Sequence, residues 1–194
     1  MAVEVPPSTA QPAPGAKIRI LDTATQLFYL EGIHSIGVDR LISESSVTKA
    51  TFYKHYGSKD ALILAYIRAR AAMEQERLER IVGEHDNPAD SIRAVFADAA
   101  RMILAPEFRG CAFINAAAEF PSETHPVRGL ILDHRDWIAD FLTGLLRELG
   151  HPLPGDGADD LQLVHDGAMT GGYAGDPIAA TASLGRAVER LLAF

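Results

Sequence analysis

Apolar residues recur at helical spacing from residue 20 onward. Ile20, Ala24, Leu27 and Phe28, with Leu21 beside them, share one face of a helix that begins near Lys17, and Gly32 suits its C-terminal stop. From Val38 the segment VDRLISES turns Val38, Leu41 and Ile42 to one side before residues 45–47 break it. Thr48 then caps a second short helix over 49–56, and Gly57 ends it. Ser58 opens a long helix from about 59 to 82, rich in Ala and Leu early and in Glu/Arg pairs (EQERLER) later.

The same period continues beyond 83–87. Over 88–104 Ile92, Val95, Phe96, Ala99 and Ile103 line one face, 111–120 reads as a shorter helix ended by Pro121, and 126–149 carries a stripe of Leu130, Trp137, Phe141, Leu145 and Leu149. The run GHPLPGDG at 150–157 is a breaker, and helices over 158–172 and 178–192 follow, separated by Gly175-Asp176-Pro177. No strand pattern or internal repeat is present, so the expected fold class is all-α: a three-helix N-terminal head and a larger helical body. Residues 1–16 (MAVEVPPSTAQPAPGA) have no periodic apolar face and are expected to form a disordered arm. The expected division is 1–16 arm, 17–60 head and 61–194 body.

Charge adds an asymmetry to this picture. The chain of 194 residues is 47% hydrophobic and 23% charged with a net charge of −8, which taken alone argues against a polyanionic partner. Residues 1–60 are neutral, with Lys17, Arg19, Arg40, Lys49, Lys54 and Lys59 against Glu4, Asp22, Glu31, Asp39, Glu44 and Asp60, so the whole deficit falls on 61–194. All the lysines lie between 17 and 59, the pattern of a chain with one end that meets phosphate. No run of about 18 apolar residues and no basic-then-apolar leader pattern occurs, so a cytoplasmic protein without membrane contact is expected. The lone Cys111 allows neither an internal disulfide nor a thiolate zinc site.

Two short helices joined by a tight turn, the second bearing Lys49, Thr51, Lys54 and His55 beside Tyr53 and Tyr56, fit a helix-turn-helix at 38–56 whose second helix enters the major groove. Val47 and Phe52 face the core in this register, and Ala50 is small enough for close helix packing. Over 18–62 the sequences ILDTATQLFYLEGI and SSVTKATFYKHYGSKDAL resemble the TetR family in residue type and spacing. Two positions depart from the family's habit: Gly37 stands where Thr or Ser is common, and Ser46 where the turn usually holds Gly. The resemblance implies that Lys49, Thr51, Lys54 and His55 face the groove, with Lys49 and Thr51 reaching base edges. It further implies that Thr48 and Tyr53 use their hydroxyls on phosphates and that Lys59, at the start of the long helix, meets another phosphate. Tyr56 reads as a core aromatic.

The resemblance also implies a homodimer on a palindromic double-stranded DNA operator, paired through the two C-terminal helices, where Ala168, Gly171, Gly172, Ala179 and Ala182 permit close approach. It implies a body that binds a small-molecule effector, whose release of the operator makes the chain a repressor. Among the body's aromatic and flexible residues, Phe96, Phe113, Trp137, Phe141 and Tyr173 are the candidate ligand walls, with Met102, Phe120 and Met169 in the wider set and Asn115, Glu119 and His134 as candidate polar groups. Cys111, at an expected helix N-terminus, is a redox candidate beside the plainer reading of an inert buried thiol. The histidines are scattered without metal-ligand spacing, His165 and Asp166 are neighbours expected to point apart, and no catalytic motif occurs. No metal, cofactor or catalysis is therefore expected. Two competing classes remain at this point: a helical small-molecule binding protein or enzyme with a vestigial helix-turn-helix, and a nucleoid-type binder without effector.

Overall fold

The computed structural model describes residues 14–194, so the expected arm lies outside the described residues apart from its last three. Among the described residues there are helices α1 (Ala16–Glu31), α2 (Val38–Glu44), α3 (Lys49–Tyr56), α4 (Lys59–Gly83), α5 (Pro88–Ile103), α6 (Ala112–Glu119), α7 (Pro126–Leu149), α8 (Pro154–Ala174) and α9 (Pro177–Leu192), and no strand. The all-α reading holds.

The first three helices close around a small core. Ile20, Ala24, Leu27 and Phe28 of α1 are buried as their spacing dictates, against Leu41 of α2 and Phe52 of α3. Ile33, Ile36 and Leu62 fill the space between them. Polar side chains finish the joints: the Arg19 Nε donates to the Ser45 carbonyl (3.3 Å) and fastens α1 to the turn after α2. Arg40 reaches across with both terminal nitrogens to the Glu31 carboxylate (2.6 and 2.7 Å). Tyr56, read as a core aromatic, is half-buried against this core, and its hydroxyl donates to the Lys17 carbonyl (2.9 Å).

This core does not stop at residue 60. It runs through Ile63, Tyr66 and Ile67 of α4 into Phe113, Ala116 and Phe120 around α6 and Val127 and Ile131 of α7. A second cluster, built on Ile92, Val95, Phe96, Ala99 and Ile103 of α5, joins α4, α7, α8 and α9. Cys111 packs against both.

Two helices differ from their sequence patterns. In α7 the buried positions are Val127, Ile131, His134, Leu142, Leu145 and Leu146, so the inward face is rotated from the expected stripe and Leu130, Trp137 and Phe141 are half-buried. In α8 the helix starts at Pro154, four residues early, with Gly155 and Gly157 inside it. Proline suits a first helical turn because its missing N–H has no partner there anyway. Gly157 is a packing residue: a Cβ there meets Leu146 Cδ1 and His151 Cε1 at 3.1 Å, closer than α7 allows. Gly157, part of a run that read as a loop signal, thus serves a tight contact, whereas Gly155 has open space around it.

Ser46, in the turn of the helix-turn-helix, has φ of +52° and is the one non-glycine with positive φ among the described residues. The left-handed region crowds an L side chain by about 1–2 kcal/mol, which accounts for the family's preference for glycine at this site. Ser46→Gly is expected to stabilise the chain by roughly 0.5–1 kcal/mol after the entropy of glycine is set against the relieved strain, measured as an upward shift in the urea midpoint at constant m-value.

Candidate nucleic-acid interface and body cavity

The recognition candidate α3 is organised by its cap. The Thr51 backbone N–H donates to Thr48 Oγ1 (3.1 Å), and the two hydroxyls lie 2.8 Å apart. Thr48 therefore satisfies an orphan donor of the helix as expected, and at the same time holds Thr51 in place. Phe52 anchors the helix from below at 0% exposure, with Tyr53 packed edge-on against it at 5.4 Å. Thr48, Lys49, Tyr53, Lys54 and His55 are exposed and Thr51 is half-exposed. Among the described residues the Lys49, Lys54 and His55 side chains take no ion-pair or hydrogen-bond partner. Ala50 is exposed too, so its small size is not used in packing.

Lys59 departs from the expected role. Its ammonium turns inward and donates to the Ile33 carbonyl (2.7 Å), 5.9 Å from the Phe28 ring centroid, and burial pulls its pKa down despite the carboxylates of Glu119 and Asp60. A lysine committed to closing the α1–α2 turn is not a phosphate anchor.

That turn is the joint between head and body. Glu119, the last residue of α6, accepts the backbone N–H of Ile33 (2.8 Å) and of His34 (2.7 Å) and contacts His34 Nδ1 (3.0 Å). Burial would raise this carboxyl, but the two backbone donors and His34 outweigh it and hold its pKa below the usual range. Tyr29 of α1 makes a second tie, with its hydroxyl donating to the Gly110 carbonyl (3.1 Å) and accepting from the Arg109 N–H (2.9 Å). Glu119 was a candidate polar group of the ligand pocket; it is a structural clasp instead. Asn115, the other such candidate on α6, donates to the Arg109 carbonyl (2.7 Å).

The body holds a cavity bounded by α4, α5, α6, α7 and α8, with about 60 Å³ open to the centres of water molecules, several times the roughly 10–15 Å³ one water needs. Phe96, Phe113 and Phe141 line it, with Met102, Met169 and His134. Trp137 lies outside the lining, stacked on Phe141 at 5.0 Å. Phe120 stacks on His125 instead, at 4.4 Å. Tyr173 is also away from it, 45% exposed and covered by the Arg109 guanidinium at 4.9 Å. Its ring sits against Gly110, which removes it as a wall of this cavity.

The polar lining is where sequence reading fell short. Glu74, Arg77, Asp98, Arg135, Gln162, His165 and Asp166 all face the cavity. Glu74 and Arg77 belong to the EQERLER run, whose pattern shows only Glu/Arg pairs along a helix. His165 and Asp166 are not splayed apart: His165 Nδ1 lies 3.4 Å from Asp166 Oδ1. Asp98 pairs with Arg77, and Asp166 pairs with Arg135 at 2.8 Å. Glu74 meets His134 Nε2 at 3.3 Å and Arg77 at 3.6 Å. Burial would raise the Glu74 pKa, but His134, His165 and Arg77 hold it below the ordinary value. The signal that was available is spacing, since Glu74, Arg77 and Leu78 recur at helical intervals on one face.

Cys111 also lines the cavity and is the N-cap of α6. The helix N-terminus was expected to lower its pKa. Burial pushes the thiol up to about 11, overriding the backbone N–H groups of Ile114 and Phe113 that act the other way. A protonated thiol at neutral pH is a weak nucleophile, so the redox candidate loses its physical basis.

At the far end of the body, α8 and α9 present an unpaired face. Leu163 is 70% and Ile178 72% exposed. An open groove there is lined by Gly167, Gly171, Ala179 and Ser183. Gly171, Ala179 and Ala182 are exposed as a docking role requires, whereas Ala168 and Gly172 are buried inside the chain. A Cβ on Gly172 would meet Ile103 at 2.4 Å, so its small size serves the contact of α8 with α5.

Comparison with known proteins agrees with this architecture. Residues 20–66 match the profile of bacterial regulatory proteins of the tetR family. The crystal structure of SCO4454, a TetR-family transcriptional regulator from Streptomyces coelicolor, superposes with a TM-score of 0.88 at 40% identity, covering 91% of this chain and 94% of that one. A putative TetR transcriptional regulator from Streptomyces avermitilis gives 0.75 at 25% identity over 90% and 98%. The HTH-type transcriptional regulator LmrA of Bacillus subtilis is 24% identical over 135 residues, 68% of this chain and 71% of that protein.

Glu119→Ala is expected to cost about 2 kcal/mol of stability at neutral pH, the scale of hydrogen bonds to a charged group. Because the folded carboxyl is held below its ordinary value of 4.5, its contribution is present above that pH and is lost as pH falls through the lower folded value. The difference between wild type and variant in urea unfolding therefore shrinks in acid; a difference that is constant with pH assigns the effect to packing.

Proposed function

The chain belongs to the TetR family of transcriptional regulators, and from that premise we propose that it is a homodimeric repressor that leaves a palindromic operator when a small molecule occupies its body. The observation that carries this reading is the outward face of α3. Thr48, Lys49, Thr51, Tyr53, Lys54 and His55 stand on one short helix rooted by buried Phe52, with its basic groups unpaired among the described residues. Lys49 and Thr51 read base edges, and Thr48 and Tyr53 bond to phosphates. Residues 17–60 form the reading unit and 61–194 the unit that binds effector and pairs. The operator places the protein in the cytoplasm.

Two copies supply what one head lacks. Regulators of this family are generally dimers, and the exposed Leu163, Ile178 and small-residue groove of α8 and α9 are the pairing surface. Recognition helices about 34–36 Å apart meet successive major grooves. An effector shifts the dimer away from that spacing only to the extent that it binds the other arrangement more tightly. The charged and aromatic cavity beside α4 and α6 is the site for it. No enzymatic role is assigned.

A binding selection on random duplexes at two salt concentrations tests the DNA reading, with recovery of a palindrome expected and a steep fall of affinity with salt. Recovery of no preferred sequence sinks it in favour of a body with a vestigial or unspecific head. Within the recovered site, Tyr53→Phe weakens binding alike on all sequences, and Thr51→Ala alters preference at one base pair per half-site; the reverse pattern refutes the assignment. For the dimer, Ile178→Asp is expected to weaken self-association by about tenfold or more, since it replaces roughly 1.5–3 kcal/mol of apolar burial with a charge. Sedimentation velocity reads the outcome, and an unchanged dimer moves the interface off α9.

A further inference from the structure

The cavity contains one polar atom that the protein leaves unmet. His134 is 5% exposed, and its Nδ1 is buried with no hydrogen-bond partner. Its other nitrogen, Nε2, faces Glu74 Oε2 at 3.3 Å. An ionised carboxylate only accepts, so Nε2 carries a proton, and in the neutral imidazole Nδ1 is then a bare lone pair that only a donor can meet. Leaving such a group unsatisfied is costly, because it gives up its water without a replacement. Among buried polar atoms this is uncommon enough to call for a partner from outside the chain.

The surroundings say what kind of partner. The Phe113 ring stacks on His134 at 3.9 Å between centroids and 22° between planes, so the imidazole edge is presented alongside a flat apolar face. Phe96, Phe141, Met102 and Met169 supply the other walls. Each carboxylate of the lining already has a partner: Asp98 has Arg77 and Arg101, Asp166 has Arg135, and Glu74 has Arg77 and the His134 Nε2. An anion would have to displace a carboxylate from an arginine, and a cation would have to compete for a carboxylate that is already bonded. Neither is favoured over a neutral molecule. The free space of about 60 Å³ admits nothing larger than a single ring unless the walls move.

We propose that the cavity takes a neutral, single-ring aromatic molecule with one hydrogen-bond donor, of the phenol class, which gives its proton to His134 Nδ1 while its ring lies among Phe113, Phe96 and Phe141. The proposal rests on the effector reading above for its place in regulation, but the recognition chemistry stands on the orphaned nitrogen. The site rejects a ring of the same shape without the donor, because that ring fills the space and leaves Nδ1 buried and unpaired.

Calorimetric titration of the full chain with phenol and with toluene tests this. The fluorescence of Trp137, the single tryptophan, gives a second signal from behind Phe141. Phenol is expected to bind at least about tenfold more tightly than toluene, and His134→Phe to abolish the preference. The nitrogen-15 shift of His134 Nδ1 in the wild-type chain moves with phenol and not with toluene, a readout that survives if the variant fails to fold. Equal binding of the two, binding of neither, a preference retained in His134→Phe, or an Nδ1 shift indifferent to phenol overturns the proposal. None of these measurements involves DNA. Phenol that binds through His134 yet leaves operator affinity unchanged supports the ligand class and overturns the effector reading. Release of the operator by other molecules while phenol fails the titration does the opposite.

Discussion

The carboxylate of Glu119 fastens the DNA-reading head to the body. Three helices of seven to sixteen residues around Phe52 make a core too small to hold its own orientation relative to the remainder of the chain. Two backbone N–H groups in the α1–α2 turn find their acceptor on α6, and the Ile33 carbonyl between them finds its donor in Lys59 of α4. The turn is thereby held from both sides, by an acid of the body and a base of the long helix. Tyr29 repeats the tie at the N-terminal end of α6 through Gly110 and Arg109. Because the apolar core continues from Phe28 and Tyr66 to Phe113 and Phe120, the head and α6 respond to force as one packed unit.

This arrangement gives the cavity leverage. The N-terminal end of α6 contributes Cys111 and Phe113 to the cavity wall, and its C-terminal end carries Glu119 to the head. The long helix α4 does the same on the other side, with Glu74, Arg77 and Leu78 on the cavity and Lys59 at the turn. A molecule that enlarges the cavity by displacing α4 or α6 acts on the base of α1, because Lys59 and Glu119 hold the turn there. The ion pairs of the lining bear on this as well. Arg77 with Asp98 ties α4 to α5, and Arg135 with Asp166 ties α7 to α8, so the wall is held by directional bonds where a purely apolar lining would slide.

The head was almost wholly legible in the sequence. Its helices are short, their apolar positions point one way, and caps such as Thr48 and Ser58 are local chemistry that needs no knowledge of distant residues. Lys59 shows the limit: the pattern marks it as the first residue of a helix, but whether its ammonium meets a phosphate or a carbonyl depends on where the α1–α2 turn lies in space. The body was legible as helices and less so as surfaces. Charged residues on α4 and α8 were not singled out as a shared site, because a charge on a helix is more often wet than buried, yet five helices surround one space and their charges pair across it. Tyr173 failed for the opposite reason, since an aromatic in a body helix is usually core and this one is held at the surface by Arg109. Gly157 and Gly172 were read as a breaker and as dimer surface, and both are places where two helices of one chain approach closely.

His134 draws these strands together. On composition it is one histidine among seven, and at helical spacing it falls on the α7 stripe between Leu130 and Trp137, where nothing in the pattern singles it out. Its environment is what sets it apart. Glu74 dictates which nitrogen carries the proton, Phe113 dictates the plane of the ring, and the rest of the cavity provides nothing for the second nitrogen. A buried histidine that only stabilised the fold would have this nitrogen completed by a donor of the chain, as the Glu119 carboxylate is by the Ile33 and His34 N–H groups. The incomplete one lies in the space bounded by the two helices that reach the head, so the position where the protein lacks a bond is also the position from which a bond is best placed to move it.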